Sequence, residues 1–205
     1  RQTLETVPLL FSICARAQAA AAAGALERAS GVEALQATQQ ARQMIVMAET
    51  AREHVLRIAL DWPGFVSGPV LPVDAKLMMQ FPDAVQKALF GDGAAFEPGA
   101  RTKINRAAIT TLIAGFTNML ETQILGEPLE VWRARSNVDA VNMWAVQVGT
   151  VAACLVRDVM SKGWAEAGRV DACFLPSLSD DALLDRLADR LAVPAEWDQA
   201  PQETS

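Results

Sequence analysis

Apolar residues recur along this chain at three- and four-residue spacing, with no sustained stretch of strict alternation, so helix is the predicted element throughout. Thr6 is placed to cap a first helix, Pro8 suits its first turn, and the alanine-rich run to Ala29 favours helix strongly before Gly31 stops it. A second helix is read from about Glu33 to Leu60. It carries Glu53 four residues ahead of Arg57, and Pro63-Gly64 ends it. Residues 61 to 73 are dense in turn formers and read as loop. Asp74 opens a shorter helical stretch to Phe90 with a break at Pro82, and a second loop runs from Gly91 to Gly99. A third long helix from about Lys103 aligns Ile109, Leu112, Ile113, Phe116 and Leu120, and Gly126 with Pro128 closes it. A fourth, started by Ser136 or Asn137, aligns Val141, Trp144, Ala145, Val148, Ala152 and Leu155 and stops at Gly163. A last helix follows a Ser179 cap, with Leu184, Leu187 and Leu191 on one stripe and Pro194 beyond. The fold class predicted is an all-α helical bundle, a single domain over residues 1–205. Its first two helices are joined only by Ser30-Gly31-Val32, which suits an antiparallel hairpin.

Composition narrows the class of function. Of 205 residues 51% are hydrophobic, enough for one sizeable core, since a chain of this size buries about 70% of its unfolded surface. The net charge is −6 and the 18 basic residues are scattered singly, so there is no basic stripe and no nucleic-acid partner is expected. Charged and amide residues break the apolar runs well short of about 20 residues, so no membrane insertion is expected. Three widely separated cysteines and no apolar leader point to a reducing compartment, and a cytoplasmic location is expected. No glycine-rich phosphate loop, serine–histidine–acid set or carboxylate pair stands out.

The candidate chemistry lies in the first two helices. Cys14, in Ile13-Cys14-Ala15-Arg16-Ala17-Gln18, opens the alanine-rich helix, and His54, the chain's one histidine, lies on the next. Taken alone, Cys14 reads first as a small buried hydrophobe. A thiolate near a helix N-terminus is nevertheless favoured by the dipole and is a soft metal ligand. Gln18, one turn later on the same face, is a hydrogen-bond donor there or a surface amide. His54 is a ligand, a proton carrier or a packed histidine. Cys154 and Cys173 have no partner at metal-ligand spacing and read as core thiols, as the methionines read as core. Trp62 and Phe65 stand in a Pro/Gly loop, where aromatic side chains are available to a partner protein.

These residues also carry a resemblance. Ile13-Cys14-Ala15-Arg16-Ala17-Gln18, then Ala25-Leu26-Glu27, then His54-Val55-Leu56-Arg57-Ile58-Ala59-Leu60-Asp61-Trp62-Pro63, are similar to the frame of nickel–iron hydrogenase large subunits. That frame is Cys-x-x-Cys-x-x-x-His, an alanine-rich helix ending Ala-Leu-Glu, and a second helix with His, apolar residues and Asp. Two positions depart from it: Phe11 stands where the first cysteine would be, and Gln18 where the histidine would be. This altered form resembles the hydrogenase accessory proteins of the HupK/HoxV type.

The resemblance implies a helical fold like that of the large subunit. It also implies that the chain, from Arg1 to Ser205, is a fragment whose C-terminal cysteine region lies beyond it. The implied function is that of a hydrogenase expression/formation accessory protein, a scaffold on which the iron–cyanide–carbonyl unit is built or handed on. That unit would be transient and no nickel is expected. Cys14 then matches the metal-bridging cysteine, with Gln18 and His54 around it as outer hydrogen-bonding groups, and Glu27 and Arg42 match positions that are often charged. Expected partners are the hydrogenase large subunit and small maturation chaperones. Two alternatives stand beside this: a divergent large subunit with hydrogenase activity, against which Phe11 argues, and a metal-free helical paralogue that acts by protein interaction.

Overall fold

The computed structural model describes residues 14–67 and 71–170, with Ala182 and Asp185 beyond them. Helices order as α1 (Ala15–Ala29), α2 (Gln36–Leu56), α3 (Lys76–Met79), α4 (Phe81–Phe90), α5 (Arg106–Met119), α6 (Leu129–Arg133), α7 (Val138–Gln147) and α8 (Val151–Ser161). No strand occurs among the described residues, as the hydrophobic pattern predicts. By compactness the chain divides into two units, residues 1–165 and 166–205. In the second, Arg169 pairs with Glu166 at 2.9 Å, and Ala182 and Asp185 are helical. The leucine stripe predicted at 184, 187 and 191 falls outside the described residues, as do the Thr6 cap and Pro8.

In the first unit α2 is the central element. Its buried positions Thr38, Ala41, Arg42, Ile45, Ala48, Glu49 and Val55 fall on one face, with α1 packed along it and α4 against it. α5 lies on α4, and the rings of Phe81 and Phe116 stack at 5.1 Å across that contact. Ile45, Met78 and Leu89 are fully enclosed where these helices meet. Beyond Leu56 the chain continues in a wide π turn, Arg57–Asp61, and a 3-10 turn, Trp62–Gly64, so the expected end at Pro63-Gly64 holds. The break expected at Pro82 falls at Gln80 instead. Pro82 sits in the first turn of α4, where its missing N–H costs nothing.

The helix read as one element from 136 to 163 is two helices, α7 and α8, bent by 120°. Asn137 starts the first, its side chain accepting the Ala140 amide at 2.8 Å. Val148 is then extended, and Thr150 restarts the chain as a cap for α8. Its hydroxyl accepts from the Ala153 amide at 3.4 Å and donates to the Ile124 carbonyl at 2.7 Å. Trp144 likewise donates to the Leu125 carbonyl at 2.7 Å, so α7 and α8 are both tied to the turn that ends α5. No single helix among the described residues is long and apolar enough to cross a membrane.

Candidate functional site

α1 begins without help from its own cap residue. Cys14 has φ 61° and ψ 30°, the one non-glycine among the described residues in the left-handed region, and its side chain makes no cap hydrogen bond. Glu49, buried on α2, supplies the acceptor instead. Its Oε1 and Oε2 take the Arg16 amide at 2.9 and 3.1 Å, and Oε2 takes the Ala17 amide at 3.2 Å. These are amides that a helix start leaves without an intrahelical partner, and a carboxylate there also faces the positive end of the dipole. The Arg16 guanidinium donates in turn to Gln86 and Asp83 of α4. The residue two beyond Cys14 is thus held by α2 through its backbone and by α4 through its side chain.

The opposite end of the hairpin is fixed by a buried ion pair. Arg42 donates to Glu27 through Nη1 at 2.8 Å and Nη2 at 3.0 Å, and both side chains are almost wholly enclosed. Nε and Nη2 also donate to the carbonyls of Ala95 and Glu97, each at 2.8 Å, and the Gly99 amide donates to Glu27 at 3.3 Å. The loop 91–99 is thereby fastened across α1 and α2. The Arg42 guanidinium holds the Glu27 carboxyl below its ordinary value. The charged arrangement expected of Glu27 and Arg42 is therefore a buried pair. Beside it an open groove of about 630 Å³ runs between α1 and α2, where Ala17, Ala20 and Gly24 leave room.

Contacts of residue 27 with 42 and of 16 with 49 make the hairpin antiparallel, as predicted. Cys14 and His54 accordingly come to the same end of it, but not into a buried site. Cys14 is exposed at the cap position ahead of α1. His54 is exposed because its neighbour Val55 occupies the inward position of the last turn of α2. Gln18 is half-buried one turn into α1, its amide closing that turn on the Cys14 carbonyl at 3.0 Å. The two loop aromatics part company: Trp62 packs on the core, whereas Phe65 is 67% exposed. Cys154 is a core thiol, as expected, with Arg157 donating to its sulfur at 3.1 Å. Phe11 and Cys173 lie outside the described residues.

Among the described residues no three of His, Cys, Asp and Glu gather to hold a metal ion. The end of the hairpin offers one exposed thiol, and its first helical amides are already taken by Glu49. A single thiol of this kind is too few donors to hold a bare metal ion.

Sequence reasoning missed Glu49, Arg16, Asp83 and Gln86. A signal for Glu49 was present: it sits on the same stripe as Ile45, Ala48 and Val55, and a carboxylate at a core position requires partners. Which partners was not legible, since they lie 32 to 33 residues away in sequence.

No family model and no solved structure matches the chain. It is similar to the hydrogenase expression/formation protein HoxV of Cupriavidus necator, 31% identical over 199 residues, which is 95% of this chain and 46% of HoxV. Over 59 residues, 29% of this chain, it is 42% identical to the hydrogenase expression/formation protein HupK of Azotobacter vinelandii. The same length is 44% identical to the hydrogenase expression/formation protein HupV of Azotobacter chroococcum, and each stretch is 17% of its relative. The chain spans less than half the length of the relatives it matches. The likeness to HoxV thus extends through nearly the whole chain, and that to HupK and HupV through 59 residues, and all three are named for hydrogenase expression and formation.

Proposed function

We propose that this chain is an accessory protein in the formation of a nickel–iron hydrogenase, a scaffold on which an iron–cyanide–carbonyl unit is built or handed on. The observation that carries this reading is its similarity, over 95% of its length, to a protein named for hydrogenase expression and formation. Cys14 is the attachment point: an exposed thiol next to a helix start that two other helices hold in place. One soft sulfur suits cargo that carries its own diatomic ligands, and Gln18 and His54 supply polar groups at the same end of the hairpin. Phe65, with the 70% exposed Leu60 near it in sequence, is the contact for a large subunit or a small chaperone. Phe11, standing in place of a cysteine, weighs against hydrogenase activity of the chain's own.

The test compares Cys14→Ala with Cys154→Ala in the host. Cys14→Ala is expected to abolish maturation of the hydrogenase with this protein still folded, and Cys154→Ala to leave maturation intact. Infrared spectra of protein purified anaerobically are expected to carry cyanide and carbonyl stretches that Cys14→Ala removes. Equal effects of the two substitutions, or none from either, would sink the scaffold reading.

A further inference from the structure

We infer that Glu49 is a positioning residue for Cys14. The inference rests on the proposed role of Cys14 in maturation, and it starts from an oddity of α1. A helix usually opens on a residue whose side chain accepts one of the first free amides. Cys14 occupies that position with a left-handed backbone and offers no such bond, so the cap residue itself does not fix where the helix begins.

The carboxylate of Glu49 does this from another helix, taking the amides of Arg16 and Ala17 together. Its placement is itself constrained. Glu49 lies on the buried stripe of α2, is 4% exposed and has those amides as its partners within reach. A buried carboxylate without such donors would be strongly unfavourable, so the helix start and the acid hold each other in register. The Arg16 side chain, bound to Asp83 and Gln86, fixes the rotation of the same turn.

The consequence falls on Cys14. With the next residues pinned to α2 and α4, the cap residue has its left-handed conformation imposed on it, and its thiol is kept outside the helix. Glu49 touches no cargo in this arrangement. It works by keeping the thiol at a defined place and exposure.

The test uses the full chain carrying Glu49→Ala, Glu49→Asp or Glu53→Ala, the last as a control one turn along the same helix. The readouts are hydrogen exchange at the Arg16 and Ala17 amides and the rate at which iodoacetamide alkylates Cys14, resolved from the other cysteines by mass spectrometry. Glu49→Ala is expected to raise exchange at those amides about fivefold, the usual effect of losing a helix cap, and to change Cys14 alkylation about twofold or more. Glu49→Asp, one methylene short, is expected to act in the same direction but less, and Glu53→Ala to change neither readout. If Glu49→Ala does not fold, the Asp variant, which keeps the charge and most of the bulk, decides. Unchanged exchange and alkylation in a folded Glu49 variant, or equal changes with Glu53→Ala, overturn the inference. Altered exchange and alkylation uphold the positioning even where Cys14→Ala leaves maturation intact, a result that would overturn the role of Cys14 in maturation instead.

Discussion

Arg42 forms two parallel hydrogen bonds with Glu27, at 2.8 and 3.0 Å, and with them fastens three parts of the chain that are far apart in sequence. The pair ties α1 to α2, and Nε and Nη2 of Arg42 also reach the carbonyls of Ala95 and Glu97. Both charges are removed from water, so each depends on the other.

Truncating one partner should therefore cost far more than replacing both. Glu27→Ala leaves the Arg42 charge buried and unpaired and is expected to lower stability by about 3–5 kcal/mol. The double replacement Glu27→Leu with Arg42→Met is expected to cost less than either single change, because no buried charge remains. Chemical denaturation of Glu27→Ala, of each single replacement, of the double replacement and of the parent measures this directly.

The same pair sets a pH dependence. Because the folded chain holds the Glu27 carboxyl below its ordinary value of about 4.5, the unfolded chain binds more protons in that range. The stability the group contributes is complete above its unfolded value and is lost as pH falls through the lowered folded one. Stability curves of the parent and of Glu27→Gln should accordingly converge as pH falls below the unfolded value of about 4.5. A gap that stays constant over this range would mean that Glu27 does not titrate as described.

Cys14 pays in backbone strain for its position. A glycine there adopts φ 61° without a Cβ clash, so Cys14→Gly is expected to be more stable than Cys14→Ala by about 1 kcal/mol. Under the proposed function neither variant supports maturation. The thermal midpoints of the two variants test the first statement, and hydrogenase activity in the host tests the second.

Gly126 and Gly31 both have positive φ, at 67° and 65°, but their surroundings differ. A Cβ on Gly126 would come within 2.5 Å of Val148 Cγ1, whereas one on Gly31 meets nothing within 4 Å. Gly31→Ala is expected to cost about 1 kcal/mol, the backbone term alone. Gly126→Ala adds overpacking against the α7–α8 corner and is expected to cost about 2–4 kcal/mol. Equal losses in thermal stability would show that the corner yields.

Most of the helices were legible in the chain because they rest on local signals: apolar spacing, Asn137 as a cap, Gly31 and Gly126 as stops. The corner between α7 and α8 was not. Gly149-Thr150 marks a permissible break, but whether the chain bends there depends on Thr150 reaching the Ile124 carbonyl, 26 residues away in sequence. Short α6 was missed for a related reason, since its first amide at Leu129 is taken by the side chain of Glu121 on the preceding turn.

The sequence by itself determined that this chain is helical, that its first two helices form a hairpin, and that Cys14 stands at the start of one and His54 near the end of the other. It also carried the resemblance to the hydrogenase accessory proteins, because that resemblance lies in the order and spacing of residues. Only the tertiary structure decided that Cys14 and His54 are exposed and that the start of α1 is held by Glu49. It alone decided that Arg42 and Glu27 are buried together. The physical reason is the range of the forces. Helix formation follows from contacts three or four residues apart. The partner of a buried charge is chosen by whichever helix packs beside it, and that depends on the whole core at once.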